Sequence, residues 1–251
     1  MESMKRSTHP AMHGLLVCGV VGPLLCVIVF LIEGVTRPGY SPWRNWLSEL
    51  SLGDQGWMNI ANLAASGLLI LGFAFALQRA FPSGPASRWG PRLVALLGVS
   101  MVLAGFFVID PNGHYPPNVQ PAVSLHGIIH EIVSPFIFIS SSATCFVVAR
   151  RFAAEPDGRE WARYSRLTGW LVAMAFLVGS ILAGLDFAGT IPGAPAGLFQ
   201  RISLFSAMIW LMLLSVHLLR RTDIAGIATP MRWSLKEESR SRESNMKHER
   251  N

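Results

Sequence analysis

The chain has 251 residues, of which 51% are hydrophobic and 14% charged, with a mean hydropathy of +0.40. An average soluble domain carries roughly 25% charged residues, so this composition excludes a disordered chain and speaks against an ordinary soluble domain. The net charge of +6 and pI near 9.8 would suit a nucleic-acid binder. Here the basic residues fall between apolar runs, where membrane orientation explains them, and no nucleic-acid partner is expected.

Charge-free runs occupy residues 7–32, 55–78, 93–109, 132–149, 167–185 and 202–219. A membrane span needs about 20 mainly apolar residues. The runs therefore predict six transmembrane helices, at about 14–34, 56–78, 91–110, 125–149, 167–187 and 198–219. Lys5 and Arg6 before the first run resemble a signal peptide, but the run is long and no small-x-small site precedes Glu33. A retained helix is expected. Only Arg37, Arg44 and Arg201 of the 21 Lys and Arg fall on one side of this topology. The other side holds both termini, which are expected to be cytoplasmic. Residues 1–13 form the cytoplasmic N-terminus, 14–220 the membrane domain and 221–251 a charged tail expected to be disordered. Cys18, Cys26 and Cys145 all lie inside spans, without a CxxC or disulfide spacing. No phosphate-binding glycine motif is present.

Chemistry-bearing residues gather at the outer ends of the spans. Glu33 closes the first, and the loop 37–57 carries Tyr40, Glu49 and several tryptophans. Asp110 closes the third, His126, His130 and Glu131 open the fourth, Asp186 closes the fifth and Arg201 opens the sixth. Ionisable groups in a span are costly and usually face the bundle interior. His126 and His130, four apart, stack on one helix face, with Glu131 about 100° from His130.

Three readings compete. Asp110, His126 and His130 could ligate a divalent metal such as zinc, with Glu131 as general base on a bound water. Known zinc helices place the Glu between the histidines; here it follows them. Alternatively the cluster is an ion-pair network, with Arg201 pairing Asp186 or Glu33. Thirdly, Glu33, Tyr40, Glu49, Asp110, His126, His130, Asp186 and Arg201 line a ligand cavity roofed by loops 35–55 and 111–124. Trp43, Trp46 and Trp57 read as an interfacial aromatic belt. Ser140, Ser141, Ser142 and Thr144 read as helix-contact or backbone-bonding residues, and Pro135 as a kink below the histidines. His13 and His217 lack a second pair across the membrane, and no haem role is expected.

The run RPGYSPWRNWLSEL at 37–50, the Asp110-Pro111 turn, HGIIH at 126–130 and GLFQRI at 197–202 together resemble the DUF998 family. These are prokaryotic six-helix membrane proteins of unknown function, broadly similar to the Frag1/DRAM-like proteins. The resemblance covers about residues 14–220 and implies a six-helix bundle, without an activity. The alkaline ceramidase and adiponectin-receptor hydrolases, which use Ser, Asp and three His, are similar in kind. This chain departs from them in helix number, and its one further candidate, His114, lies in a loop.

The sequence thus predicts an all-α, six-span protein of a prokaryotic plasma (inner) membrane, able to self-associate. Its expected partner is membrane lipid or a small ligand, bound in a polar pocket at the extracytoplasmic ends of the helices. Metal-dependent hydrolysis of a lipid or lipid-linked substrate is the alternative, and transport is weaker because no internal repeat is visible.

Overall fold

A computed structural model describes residues 8–112 and 115–221, among which there are helices and turns but no strand. The helices are α1 (Thr8–Thr36), α2 (Gly56–Ala80), α3 (Trp89–Phe106), α4 (Leu125–Val133), α5 (Pro135–Ala153), α6 (Arg159–Phe187) and α7 (Ala196–Arg221). Helices α4 and α5 form one span, Leu125–Ala153, so six spans are long and apolar enough to cross a membrane. The shortest, α3, has 18 residues and covers about 27 Å at 1.5 Å per residue, close to a bilayer's hydrocarbon thickness.

The helix limits depart from the apolar runs where local chemistry differs. Helix α1 begins at Thr8 rather than 14, and α6 at Arg159 rather than 167; in α6 the charged stretch 159–166 continues the helix beyond the apolar run. Helix α3 stops at Phe106, short of 110: Phe107 is extended, and its N–H returns to the Leu103 carbonyl. Asp110 precedes Pro111, which disfavours helical backbone at that residue. Pro135 has no N–H to donate, and the fourth span divides there into α4 and α5. The expected disordered tail and His114 lie outside the described residues.

Helix packing relies on small residues and on hydroxyls. A Cβ on Gly67 of α2 would lie 2.7 Å from the Gly98 carbonyl of α3, and one on Gly98 equally close to that of Gly67. The two backbones touch there, as small residues allow between membrane helices. Between helices, Ser142 donates to the Gly169 carbonyl (3.0 Å), Ser203 to that of Val172 (2.8 Å) and Ser215 to that of Leu16 (2.5 Å). Within α5, Ser141 and Thr144 donate back one turn, to Ile137 and Ser140. Each hydroxyl is thereby satisfied without water. Phe73, Leu77, Phe152, Met208, Trp210 and Leu214 fill the centre.

Six crossings return the chain to its starting side. One end of the bundle carries the connections 37–55, 107–124 and 188–195, rich in loop structure. The other carries the connections 81–88 and 154–158, with most of the arginines.

Candidate functional site at the loop-rich end

The first connection is tied down by buried charge. Arg37 extends its guanidinium under the loop, where it meets Glu33 one turn earlier (2.7 Å) and the carbonyls of Leu50 (3.0 Å) and Gln55 (2.5 Å). Both charged residues are almost fully buried, while Glu33 Oε2 and Arg37 Nε have no hydrogen-bond partner among the described residues. Arg44 makes a two-pronged bond to Asp186 at 2.7 and 2.9 Å, joining the loop to the end of α6. Asp186 also accepts from the Gly193 N–H. The expected pairing of Arg201 with Asp186 or Glu33 is therefore wrong: Arg44 and Arg37 take those carboxylates. Arg201 instead donates to the carbonyls of Pro42, Asn45 and Gly197 and to the Tyr40 hydroxyl. Its flat fork suits several acceptors in one plane.

The loop in turn caps α7. The Gly197 and Leu198 N–H groups donate to the carbonyls of Arg44 and Trp43, satisfying two of the donors that a helix start leaves open. A side chain at Gly197 would overlap the Asn45 carbonyl. Tyr40 donates to the Trp46 carbonyl at 3.0 Å. Burial pushes its hydroxyl well above the ordinary tyrosine range, although Arg201 pulls the other way. Tyr40 therefore serves as a neutral relay between Arg201 and the loop.

Leu47–Ser51 forms a short 3-10 turn. Its Leu47 N–H donates to Gln200 of α7 (2.6 Å), and Asn59 of α2 donates to the Leu47 carbonyl (3.1 Å) and the Ser51 hydroxyl (2.8 Å). Glu49 in this turn is fully buried. It accepts from the Trp46 N–H and from Asn112. Burial nevertheless pushes its carboxyl up to about 7, against the downward pull of Asn45, Asn112, Trp46 and Arg44.

The third connection and α4 meet through Asp110. Both of its oxygens accept from Ser124, from the N–H (2.6 Å) and the hydroxyl (2.7 Å). Ser124 is the N-cap of α4 and accepts from the Gly127 N–H at 3.1 Å, as capping serines do. A Cβ at residue 127 would overlap the Asp110 carboxylate, which accounts for the glycine in HGIIH. His126 is exposed and lies beside the rings of Phe106 and Phe107, at 6.4 and 5.3 Å. His130 is buried, with Nδ1 facing the carbonyls of Ala104 (3.1 Å) and Phe107 (2.8 Å) at the end of α3. Two carbonyls require a donor, so Nδ1 carries a proton.

A cavity of about 380 Å³ opens beside this structure, between α4–α5 and α6 under the first loop. Its polar part is formed by His130, Glu131, Ser48, Ser134, Asn112 and Gln200. Phe138, Phe176, Ala183 and Phe187 form its apolar wall. The side chains of Glu131, Ser48 and Ser134 have no hydrogen bond or ion pair among the described residues. His130 also borders a smaller apolar void of about 30 Å³.

The sequence-derived site is thus divided. His130 and Glu131 face one cavity, whereas Glu33, Tyr40, Glu49, Asp110, Asp186 and Arg201 hold the surrounding loops and are absent from its wall. Among the described residues, no three His, Cys, Asp or Glu come together so as to hold a metal ion. Trp43 and Trp57 are exposed, but Trp46 turns inward and lines the cavity. Sequence reasoning missed Ser48, Asn112, Ser134 and Gln200 as lining residues, and Arg37 and Arg44 as the ion-pair partners of Glu33 and Asp186. The two arginines did carry a signal: with Arg201, they are the basic residues on the side otherwise poor in positive charge.

Residues 20–217 match the family described as "Protein of unknown function (DUF998)". The match covers most of the chain, which therefore belongs to that family. No curated protein and no solved structure matches it.

Proposed function

We propose that this multi-pass membrane protein binds a membrane amphiphile in the cavity at the loop-rich end, and that this end faces away from the cytoplasm. The observation that carries the reading is the set of unengaged polar groups at the head of an apolar slot. Glu131, Ser48 and Ser134 offer a carboxyl group and hydroxyls beside the His130 ring, and the wall of Phe138, Phe176 and Phe187 suits a hydrocarbon chain. Among the described residues, no lysine or arginine lines the cavity. A phosphate would meet a carboxylate there without a compensating cation, so the chemistry favours a head group rich in hydroxyl or amine donors.

Metal-assisted hydrolysis is the less favoured reading. Asp110 spends both oxygens on the cap of α4, and His126 lies exposed against Phe106 and Phe107. His130 and Glu131 alone would have to supply a ligand set.

The test is co-purification. The full chain is extracted in mild detergent and its retained lipids are identified by mass spectrometry, beside Glu131→Gln and Ala183→Phe variants. The expected result is a bound hydroxyl- or amine-bearing lipid that both variants lose. Equal retention by Ala183→Phe, which fills the slot, would overturn the proposal.

A further inference from the structure

A second cavity, of about 520 Å³, lies at the arginine-rich end between α2 and α3. Below it the two helices touch at Gly67 and Gly98. Leu71 and Phe75 of α2 and Ala95 of α3 form an apolar wall, and Gln78, Arg88 and Arg92 form the rim. Arg88 and Arg92 are four apart, so both project on one side of α3. They sit at the very start of this span, and Gln78 at the end of the preceding one. The rim therefore lies at head-group depth, and the wall runs inward from it.

The charge at the rim is uncompensated. Both arginines are exposed, and neither bonds a carboxylate among the described residues. The first turn of α3 contains no acidic residue, and its N-cap makes no side-chain bond, so the positive end of the helix adds to the two guanidinium charges. Arg92 lies over the exposed ring of Trp89, 5.8 Å from its centre, an arrangement that holds the guanidinium near the interface. Phe75, on the cavity wall, is itself exposed.

We propose that this groove is a binding site for an anionic phospholipid of the adjoining leaflet. Its phosphate lies between Arg88 and Arg92, whose planar forks match phosphate oxygens, and one acyl chain lies along Leu71, Phe75 and Ala95. Basic pockets between membrane helices recognise anionic head groups by this combination. The site is independent of the cavity at the other end, which no lysine or arginine lines among the described residues.

The experiment uses the full chain in micelles containing equal phosphatidylglycerol and phosphatidylcholine, with retained lipid counted by native mass spectrometry. Wild type should retain phosphatidylglycerol preferentially. The Arg88→Gln/Arg92→Gln variant should lose that preference by about thirtyfold, as expected for two arginines near a lipid surface. Arg88→Lys/Arg92→Lys should keep part of it, and Arg163→Gln/Arg166→Gln, at the same end, all of it. Ala95→Phe keeps both charges but obstructs the wall, and should also release the lipid. Unchanged retention in the double Gln variant would overturn the proposal. So would displacement by millimolar inorganic phosphate with no effect of Ala95→Phe, which would mark a site for free phosphate.

Discussion

Glu49 is a carboxylate buried in the turn that joins three parts of the bundle, and its protonation should be visible in stability. Its carboxyl titrates at about 7 because burial opposes the charged form, whereas an exposed glutamate titrates near 4.3. The sign follows from linkage. Below the ordinary value Glu49 is neutral in both folded and unfolded chains and costs nothing. Between that value and about 7 the unfolded chain releases its proton and the folded chain does not, so stability falls as pH rises. The loss is on the order of 3 kcal/mol and is complete above that window. Thermal unfolding in detergent should therefore show a higher Tm at pH 5 than at pH 8. In Glu49→Gln the difference should shrink, since the amide does not titrate. An unchanged slope in the variant would remove Glu49 as its source. The same residue shows what a sequence conceals: its acidity is ordinary in a linear chain and becomes unusual only when Asn112, Trp46 and α2 close around it.

At the scale of elements, six apolar runs were enough to place six spans, because hydrocarbon leaves a backbone no partner but itself. The limits moved where that constraint stops acting, at the polar start of α6 and the extended residues after Phe106. The site was legible only in part. His130 and Glu131 stand out as ionisable residues in a span. Gln200, Asn112 and Ser48 are ordinary polar residues whose roles depend on contacts across the fold. Charge partners were equally hidden: Arg201, Arg37 and Arg44 all border the same end, and only loop geometry assigns carboxylates to two of them and carbonyls to the third. Helix contacts give a sharper prediction. A methyl added at Gly67 or Gly98 meets the other helix's backbone, which cannot yield as a side chain does. Gly67→Ala and Gly98→Ala should each destabilise by about 1–3 kcal/mol, as overpacking does. Their combination should cost less than the sum, because both separate the same contact. Gly14→Ala, which meets nothing within 4 Å, should be neutral or slightly stabilising, since alanine favours helix. Strict additivity of the Gly67 and Gly98 changes in denaturant unfolding would show that the two helices do not touch there.

The whole molecule divides its charge by end. The loop-rich end holds Glu33–Arg37 and Arg44–Asp186 as internally neutral pairs, which leaves little net positive charge to oppose translocation. At the other end Arg88, Arg92, Arg163 and Arg166 are exposed. Glu155 there is held below the usual carboxylate range, burial being outweighed by Arg221 and Arg151. Lysine and arginine near spans favour the cytoplasmic side, so the loop-rich end is expected outside. Single cysteines can read this in a Cys18→Ala background, in which Cys26 and Cys145 remain fully buried. Gln120→Cys and Ser83→Cys place thiols at exposed positions on opposite ends. A membrane-impermeant maleimide added to intact cells should label residue 120 at once and residue 83 only after permeabilisation. The reverse pattern would turn the amphiphile cavity toward the cytoplasm and the arginine groove toward the outer leaflet. The two lipids would then have to be sought in exchanged leaflets, although the chemistry of each cavity would stay the same.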